Sequence, residues 1–158
     1  MTEVFEGGCG CRAVRYQMRG RPLIVHACHC RWCQRETGTA FALNALIEST
    51  RISRQGDVET IDTPSASGQG QWIVRCPTCR IAVWSHYPRA REAISFVRVG
   101  TLDQPDAFPP DVHIYTMSKQ PWVVLPPGAR AVEEFYDLRA TWSPESLARL
   151  QAVMAERR

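Results

Sequence analysis

The chain has 158 residues, is 44% hydrophobic and carries a formal net charge of +3, which suits one compact domain with a single core. No segment approaches the roughly 20 apolar residues that cross a bilayer, and Met1–Gly8 lacks a basic region followed by an apolar stretch, so a soluble, cytoplasmic protein with no membrane partner is expected. The seven cysteines, an odd number, then fall in a reducing compartment, where metal binding or catalysis explains them better than disulfides.

The first 135 or so residues read as short β-rich runs separated by Gly, Pro and Asp. Apolar and polar residues alternate through Ala13–Met18, and further strands are expected near Leu23–Ala27, Phe41–Glu48, Val58–Ile61, Trp72–Arg75, Ile81–His86, Ile94–Val99, Val112–Thr116 and Val132–Phe135. This spacing predicts a mainly β, folded-over structure and not βαβ units. The small, polar segment Thr63–Gln71 is a substrate lid or an ordinary connector. Helical pattern is weak until Ser143-Pro144, an N-cap followed by Pro at the first helical position, after which Leu147, Leu150 and Met154 recur at helix spacing. A short C-terminal helix is therefore expected, so that residues 1–137 form a zinc-binding domain and 138–158 a helical extension packed on it. Arg157 and Arg158 suit the helix dipole or form a solvated tail.

Free cysteines used as small buried hydrophobes would be scattered, yet every cysteine here lies in a cluster. Cys9-Gly10-Cys11 would point two thiols to one side of an extended chain, and Cys76-Pro77-Thr78-Cys79 is a C-x-x-C knuckle that lets both sulfurs approach Zn²⁺ at about 2.3 Å. Together they supply four thiolates, a closed structural site joining distant parts of the chain. A redox role for Cys76 and Cys79 would require a βαβ context that the chain lacks. The third cluster, Cys28-His29-Cys30-Arg31-Trp32-Cys33, offers three sulfurs, one short of a closed tetrahedron and so the pattern of a catalytic zinc with an open position. His29 is a fourth-ligand candidate, although between two cysteines on extended chain it should point the other way. Zinc held by three thiolates is a poor Lewis acid and suits an incoming thiolate better than hydrolysis. Residues 1–56 hold eight Arg against four Glu, so the cysteine-rich part carries the positive charge that helps keep thiols ionised.

Gly7-Gly8-Cys9-Gly10-Cys11 with Val14-Arg15-Tyr16, Cys28-His29-Cys30-Arg31-Trp32-Cys33 with Thr37-Gly38, and Cys76-Pro77-Thr78-Cys79 resemble the glutathione-dependent formaldehyde-activating enzyme family. The likeness continues through Gly100-Thr101-Leu102-Asp103, Val112-His113-Ile114 and Ser118-Lys119-Gln120-Pro121-Trp122, covering roughly residues 3–125. It implies a β-tent with a structural zinc on Cys9, Cys11, Cys76 and Cys79 and a functional zinc on Cys28, Cys30 and Cys33. The activity it implies is that of a carbon-sulfur lyase which joins glutathione and formaldehyde as S-hydroxymethylglutathione. The family commonly has Gly after the second cysteine of each structural pair, where this chain has Arg12 and Arg80; left-handed backbone there would be strained.

Two other functional readings stand beside the enzyme: a non-catalytic zinc module for a protein partner, and a nucleic-acid binder. The second has thin support, since the chain has a single Lys and no series of stacking aromatics. In the enzyme reading Arg31 and Arg35 could hold carboxylates of the thiol, and His86 and His113 are candidates for proton transfer, although exposed arginines and satisfied histidines are the commoner case.

Overall fold

A computed structural model describes residues 1–156, so the reading of Arg157 and Arg158 lies outside the described residues. Ten strands form two sheets. Strands β1 (Val4–Gly8), β2 (Arg15–Arg19) and β5 (Ile52–Gln55) make a small antiparallel sheet in the order β1-β2-β5. The other seven are β3 (Ile24–Cys28), β4 (Ala42–Glu48), β6 (Glu59–Thr63), β7 (Gln71–Arg75), β8 (Ala82–Tyr87), β9 (Arg91–Arg98) and β10 (Val112–Ile114). They form one large sheet in the order β10-β3-β4-β9-β8-β7-β6. Only β10 runs parallel to its neighbour β3.

The large sheet is the middle layer, which is why all five residues of β3 are buried and why that segment reads as an almost unbroken apolar run. On one face, Val25, Ala45, Ile47 and Val97 pack with Val14, Tyr16 and Met18 of the small sheet. On the other, Ile24, Ala42, Leu46 and Ile94 pack with Tyr136, Trp142 and Val153 from the C-terminal part of the chain. The small sheet is keyed to the segment after β9: Tyr16 Oη lies 2.7 Å from Thr101 Oγ1, and Arg15 holds the Asp103 carboxylate with both terminal nitrogens. A Cβ on Gly7 would lie 2.5 Å from the Tyr16 ring and 2.7 Å from the Thr101 carbonyl oxygen, so this approach requires glycine.

Helix α1 (Arg31–Thr37), between β3 and β4, is not among the expected elements. Its N-cap is Cys30, whose Sγ accepts from Cys33 N–H at 3.3 Å, and its end is marked by Gly38 at φ 67°. The C-terminal helices are α2 (Leu138–Thr141) and α3 (Pro144–Ala155). Ser143 caps α3 as expected, accepting from Ser146 N–H at 3.1 Å. The inward face of α3 differs in detail: Ser146 and Val153 are buried and Leu147 and Leu150 partly so, whereas Met154 is exposed. Ser146 Oγ donates to Leu23 O at 2.7 Å. Arg149 donates to both carboxylate oxygens of Glu48, at 2.8 and 2.6 Å, and thereby docks α3 on β4.

Val132–Phe135 is not a strand. His113 makes an isolated bridge to Ala131, but Tyr115 turns left-handed at φ 55° and the ladder stops there. Strands β1 and β5 go beyond the expected set; β5 is largely exposed and carries no apolar alternation to announce it.

The two hairpin turns that hold Cys9-Gly10-Cys11 and Cys76–Cys79 are built alike. Cys9 N–H bonds Val14 O and Arg12 N–H bonds Cys9 O; Cys76 N–H bonds Ile81 O and Arg80 N–H bonds Cys76 O. Arg12 and Arg80 both sit at φ 65°, the left-handed conformation that disfavours a residue with a Cβ by roughly 1–2 kcal/mol. Arg12→Gly is therefore expected to raise the unfolding free energy by up to about 1 kcal/mol, after the greater freedom of glycine in the unfolded chain is subtracted, and Arg12→Val to lower it; urea denaturation reads both.

Glu48 is 5% exposed. Burial by itself would raise its pKa, but the hydrogen bonds from Arg149 and the charge of Arg51 hold it below the usual carboxylate range. A carboxyl whose pKa is lower in the folded than in the unfolded chain adds stability above the unfolded value of about 4.3 and loses it as pH falls through the folded value. Glu48→Gln should accordingly cost about 1.5–3 kcal/mol at pH 7. The gap to wild type should close as the pH drops below about 4, which denaturation curves at several pH values will show.

Candidate metal centres

The fold brings the seven cysteines together as two groups on opposite faces of the large sheet. Cys9 and Cys76 belong to the core beneath the small sheet, whereas Cys28, Cys30 and Cys33 belong to the core beneath the C-terminal helices. In each group the sulfurs lie within 4.8 Å of one another.

Cys9 and Cys11 come from the β1–β2 turn and Cys76 and Cys79 from the β7–β8 turn. Cys9-Gly10-Cys11 is a tight turn and not extended chain, so hydrogen bonding in the turn, not strand alternation, aims its thiols. Cys9 Sγ lies 3.5 Å from Cys11 Sγ, and Cys11 Sγ lies 3.7 Å from Cys76 Sγ across 65 residues. Four sulfurs about 2.3 Å from a central ion in a tetrahedron stand about 3.8 Å apart, so these separations fit a tetrahedral ion such as Zn²⁺. Burial would raise the Cys9 thiol, but the Val14 N–H at 3.2 Å and the neighbouring thiols lower it. The N–H groups of Ile81 and Cys11 bring Cys79 down to about 6. Each turn thus supplies one thiol whose pKa is lowered.

The three-cysteine group is assembled by the end of β3 and the start of α1. Cys28 is the last residue of the strand, Cys30 the helix N-cap and Cys33 the third helical residue. Cys28 and Cys33 bond the Cys30 sulfur and, with the N–H groups of Cys33 and Trp32, pull it down to about 3 against its burial. Cys33 is pushed up to about 12: the bond from Cys28 lowers it and Arg98 helps, but Cys30 and burial outweigh them. Arg98 is 7% exposed. Its Nη1 donates to Asn44 Oδ1 at 2.6 Å, its Nε lacks a partner, and no carboxylate pairs with it among the described residues. A buried cation in that position balances the negative charge of thiolates around a cation, so the donor set fits a metal.

This group opens into a cavity of about 330 Å³. Strand alternation puts His26, two residues before Cys28, on the same face of β3, and register sets His26 opposite Asn44 and Asn44 opposite Arg98. His26 and Asn44 line the cavity together with Trp32, Phe96 and Phe135. Burial pulls His26 down to about 3 and keeps it neutral. Its Nε2 lies 2.5 Å from Tyr136 Oη, which accepts from Trp142 Nε1 at 2.8 Å and is thereby placed to donate to His26.

His29 points away from the cluster, as the alternation argument expects. It is fully buried, with Nε2 3.0 Å from His113 Nδ1. His113, occupied by His29, and His86, whose Nδ1 donates to Ile94 O at 3.0 Å, are both absent from the cavity lining. Arg31 and Arg35 are exposed on α1 and do not line the cavity either; Arg31 donates to Gln34 Oε1 at 3.1 Å. The arginine at the cavity is Arg89, on the β8–β9 turn. The 63–71 segment contributes Ser65, Ser67, Gln69 and Gln71 to the wall. The residues missed from sequence are therefore His26, Asn44, Arg89 and Arg98. Of these, His26 carried a signal: a polar residue in an apolar run, in step with Cys28.

No helix among the described residues is long and apolar enough to cross a membrane. A search of curated protein sequences returns no match. Among solved structures, the crystal structure of a Rhodobacter sphaeroides protein is 19% identical, with a TM-score of 0.44, over 62% of this chain and 87% of that one. The family model described as glutathione-dependent formaldehyde-activating enzyme matches residues 4–118, a span that contains all seven cysteines and both hairpin turns, and the chain belongs to that family.

Proposed function

We propose that the chain is a two-zinc enzyme, of carbon-sulfur lyase type, that joins a thiol such as glutathione to formaldehyde or a related carbonyl compound. In this reading the two-sheet scaffold is a β-tent, Cys9, Cys11, Cys76 and Cys79 hold the structural ion, and Cys28, Cys30 and Cys33 hold the functional one. The observation that carries it is the contrast between the groups: four thiols complete a tetrahedron, whereas three buried thiols open into a cavity. Zinc bound there supplies an open coordination position that takes up a thiol sulfur and favours its deprotonated form.

The chain's own residues account for the rest. Condensation forms a carbon-sulfur bond as the sulfur adds to the carbonyl carbon; the carbonyl π pair moves to oxygen, and the proton given up by the thiol ends on that oxygen. Asn44 already accepts from Arg98, which leaves its NH₂ group as the donor for the developing alkoxide. His26, held neutral with Nε2 accepting from Tyr136, carries its proton on Nδ1 and offers a second N–H donor in the same space. Trp32, Phe96 and Phe135 give the cavity apolar walls, and the 63–71 segment between β6 and β7 adds Ser65, Ser67, Gln69 and Gln71 to its lining.

Metal analysis is expected to find two zinc ions in wild type and one in Cys30→Ser, with loss of thiol-dependent formaldehyde consumption in the variant. Serine caps helices well, so α1 should survive the change. A chelator should strip one ion readily while the other resists. Unchanged consumption in Cys30→Ser would sink the proposal.

A further inference from the structure

The two cysteine groups lie on opposite faces of the large sheet, yet one side chain joins the elements that carry them. Arg75 ends β7, directly before the turn that holds Cys76 and Cys79. Its Nη1 donates at 3.0 Å to the carbonyl of Arg80, the residue after Cys79, and the N–H of Arg80 is bonded back to Cys76 O at 3.0 Å. The peptide whose oxygen Arg75 holds also carries the Ile81 N–H that lowers Cys79. The other terminal nitrogen of Arg75 pairs with the Glu36 carboxylate on α1. Glu36 follows Cys33 by three residues, which puts the two on one side of the helix, and Cys30 caps the same helix. The Arg75 and Glu36 side chains are 19% and 16% exposed, so the pair is shielded from the water and salt that weaken surface pairs.

Resting on the two-metal reading above, we propose that Arg75 and Glu36 are positioning residues that couple the two groups, so that the ion at Cys9, Cys11, Cys76 and Cys79 sets the metal affinity of Cys28, Cys30 and Cys33. Fixing the sulfurs of the β7–β8 turn fixes the Arg80 carbonyl. That carbonyl orients the guanidinium, whose planar fork holds its two partners in a set geometry, and Glu36 carries the constraint to the helix of Cys30 and Cys33. Order imposed at one group is then not imposed again at the other, and the coupling runs equally in both directions.

Cobalt(II) titration tests this. Protein is prepared with zinc, or with the larger cadmium ion, at the four-cysteine group; chelator empties the three-cysteine group, and metal analysis checks that one ion per chain is retained. Cobalt ranks below zinc in affinity and leaves the retained ion in place. Zinc and cadmium are colourless, so sulfur-to-cobalt absorption reads the three-cysteine group alone. In wild type the cobalt affinities of the two forms are expected to differ by about fivefold or more. Arg75→Met should make them equal, and so should Glu36→Ala, which suits a helix and leaves the Arg75–Arg80 bond intact. A merely structural role would weaken cobalt binding in both forms alike and keep their ratio at the wild-type value. Equal affinities in wild type, or a ratio that survives in either variant, overturns the coupling and leaves two metal sites standing. No cobalt absorption in wild type overturns the two-metal reading as well. If Arg75→Met does not fold, wild type and Glu36→Ala decide the matter.

Discussion

Four thiols from two hairpin turns meet at one point, and the rest of the molecule is arranged around that meeting. The small sheet has only three strands and depends on burying its apolar face. It is tied to the large sheet by apolar packing, by the contacts of Tyr16 and Arg15 with Thr101 and Asp103, and at its tip by sulfur. A metal held at that tip would close a loop of 65 residues, a constraint on the unfolded chain of the kind that disulfides supply elsewhere. The two turns share a closing bond, Cys9 N–H to Val14 O and Cys76 N–H to Ile81 O, and each holds a left-handed arginine, so local strain accompanies the aiming of the sulfurs.

With that face secured, the opposite face of the same sheet is available for chemistry. Its central strands carry a polar row, His26, Asn44 and Arg98, in direct register and beneath a three-thiol group. Rows of this kind are expensive in a core unless every member has a partner. Here Tyr136 serves His26 and Asn44 serves Arg98, whose Nε is left without a partner among the described residues. The cavity is shaped by strands at its base and by loops and C-terminal residues at its rim, which makes the base rigid and the rim variable.

The grouping of the cysteines was legible in the sequence because they lie in short clusters, two pairs and one set of three within six residues, although Cys9-Gly10-Cys11 reaches its place through a tight turn and not through strand alternation. The strands of the large sheet were legible for a similar reason, since their apolar runs reflect burial. Helix α1 was not, because its cap is a cysteine, where Ser, Asp or Asn would have announced a helix, and it is only seven residues long. Arg31 and Arg35 lie near the cluster in sequence but face solvent, whereas Arg89 arrives from a distant turn. Proximity along the chain is a poor guide once a helix has rotated side chains away from their neighbours. Val132–Phe135 departs from a strand because Tyr115 turns left-handed beside it, and such a turn at a non-glycine residue has no sequence signature.

The family match ends at residue 118, yet Phe135 finishes the cavity wall and Tyr136 and Trp142 fix the histidine beside it. The scaffold and its sulfurs therefore lie in one stretch of the chain and part of the substrate-facing surface in another. Such a division lets evolution exchange the tail, and with it what the cavity admits, while the cysteine-bearing framework stays as it is.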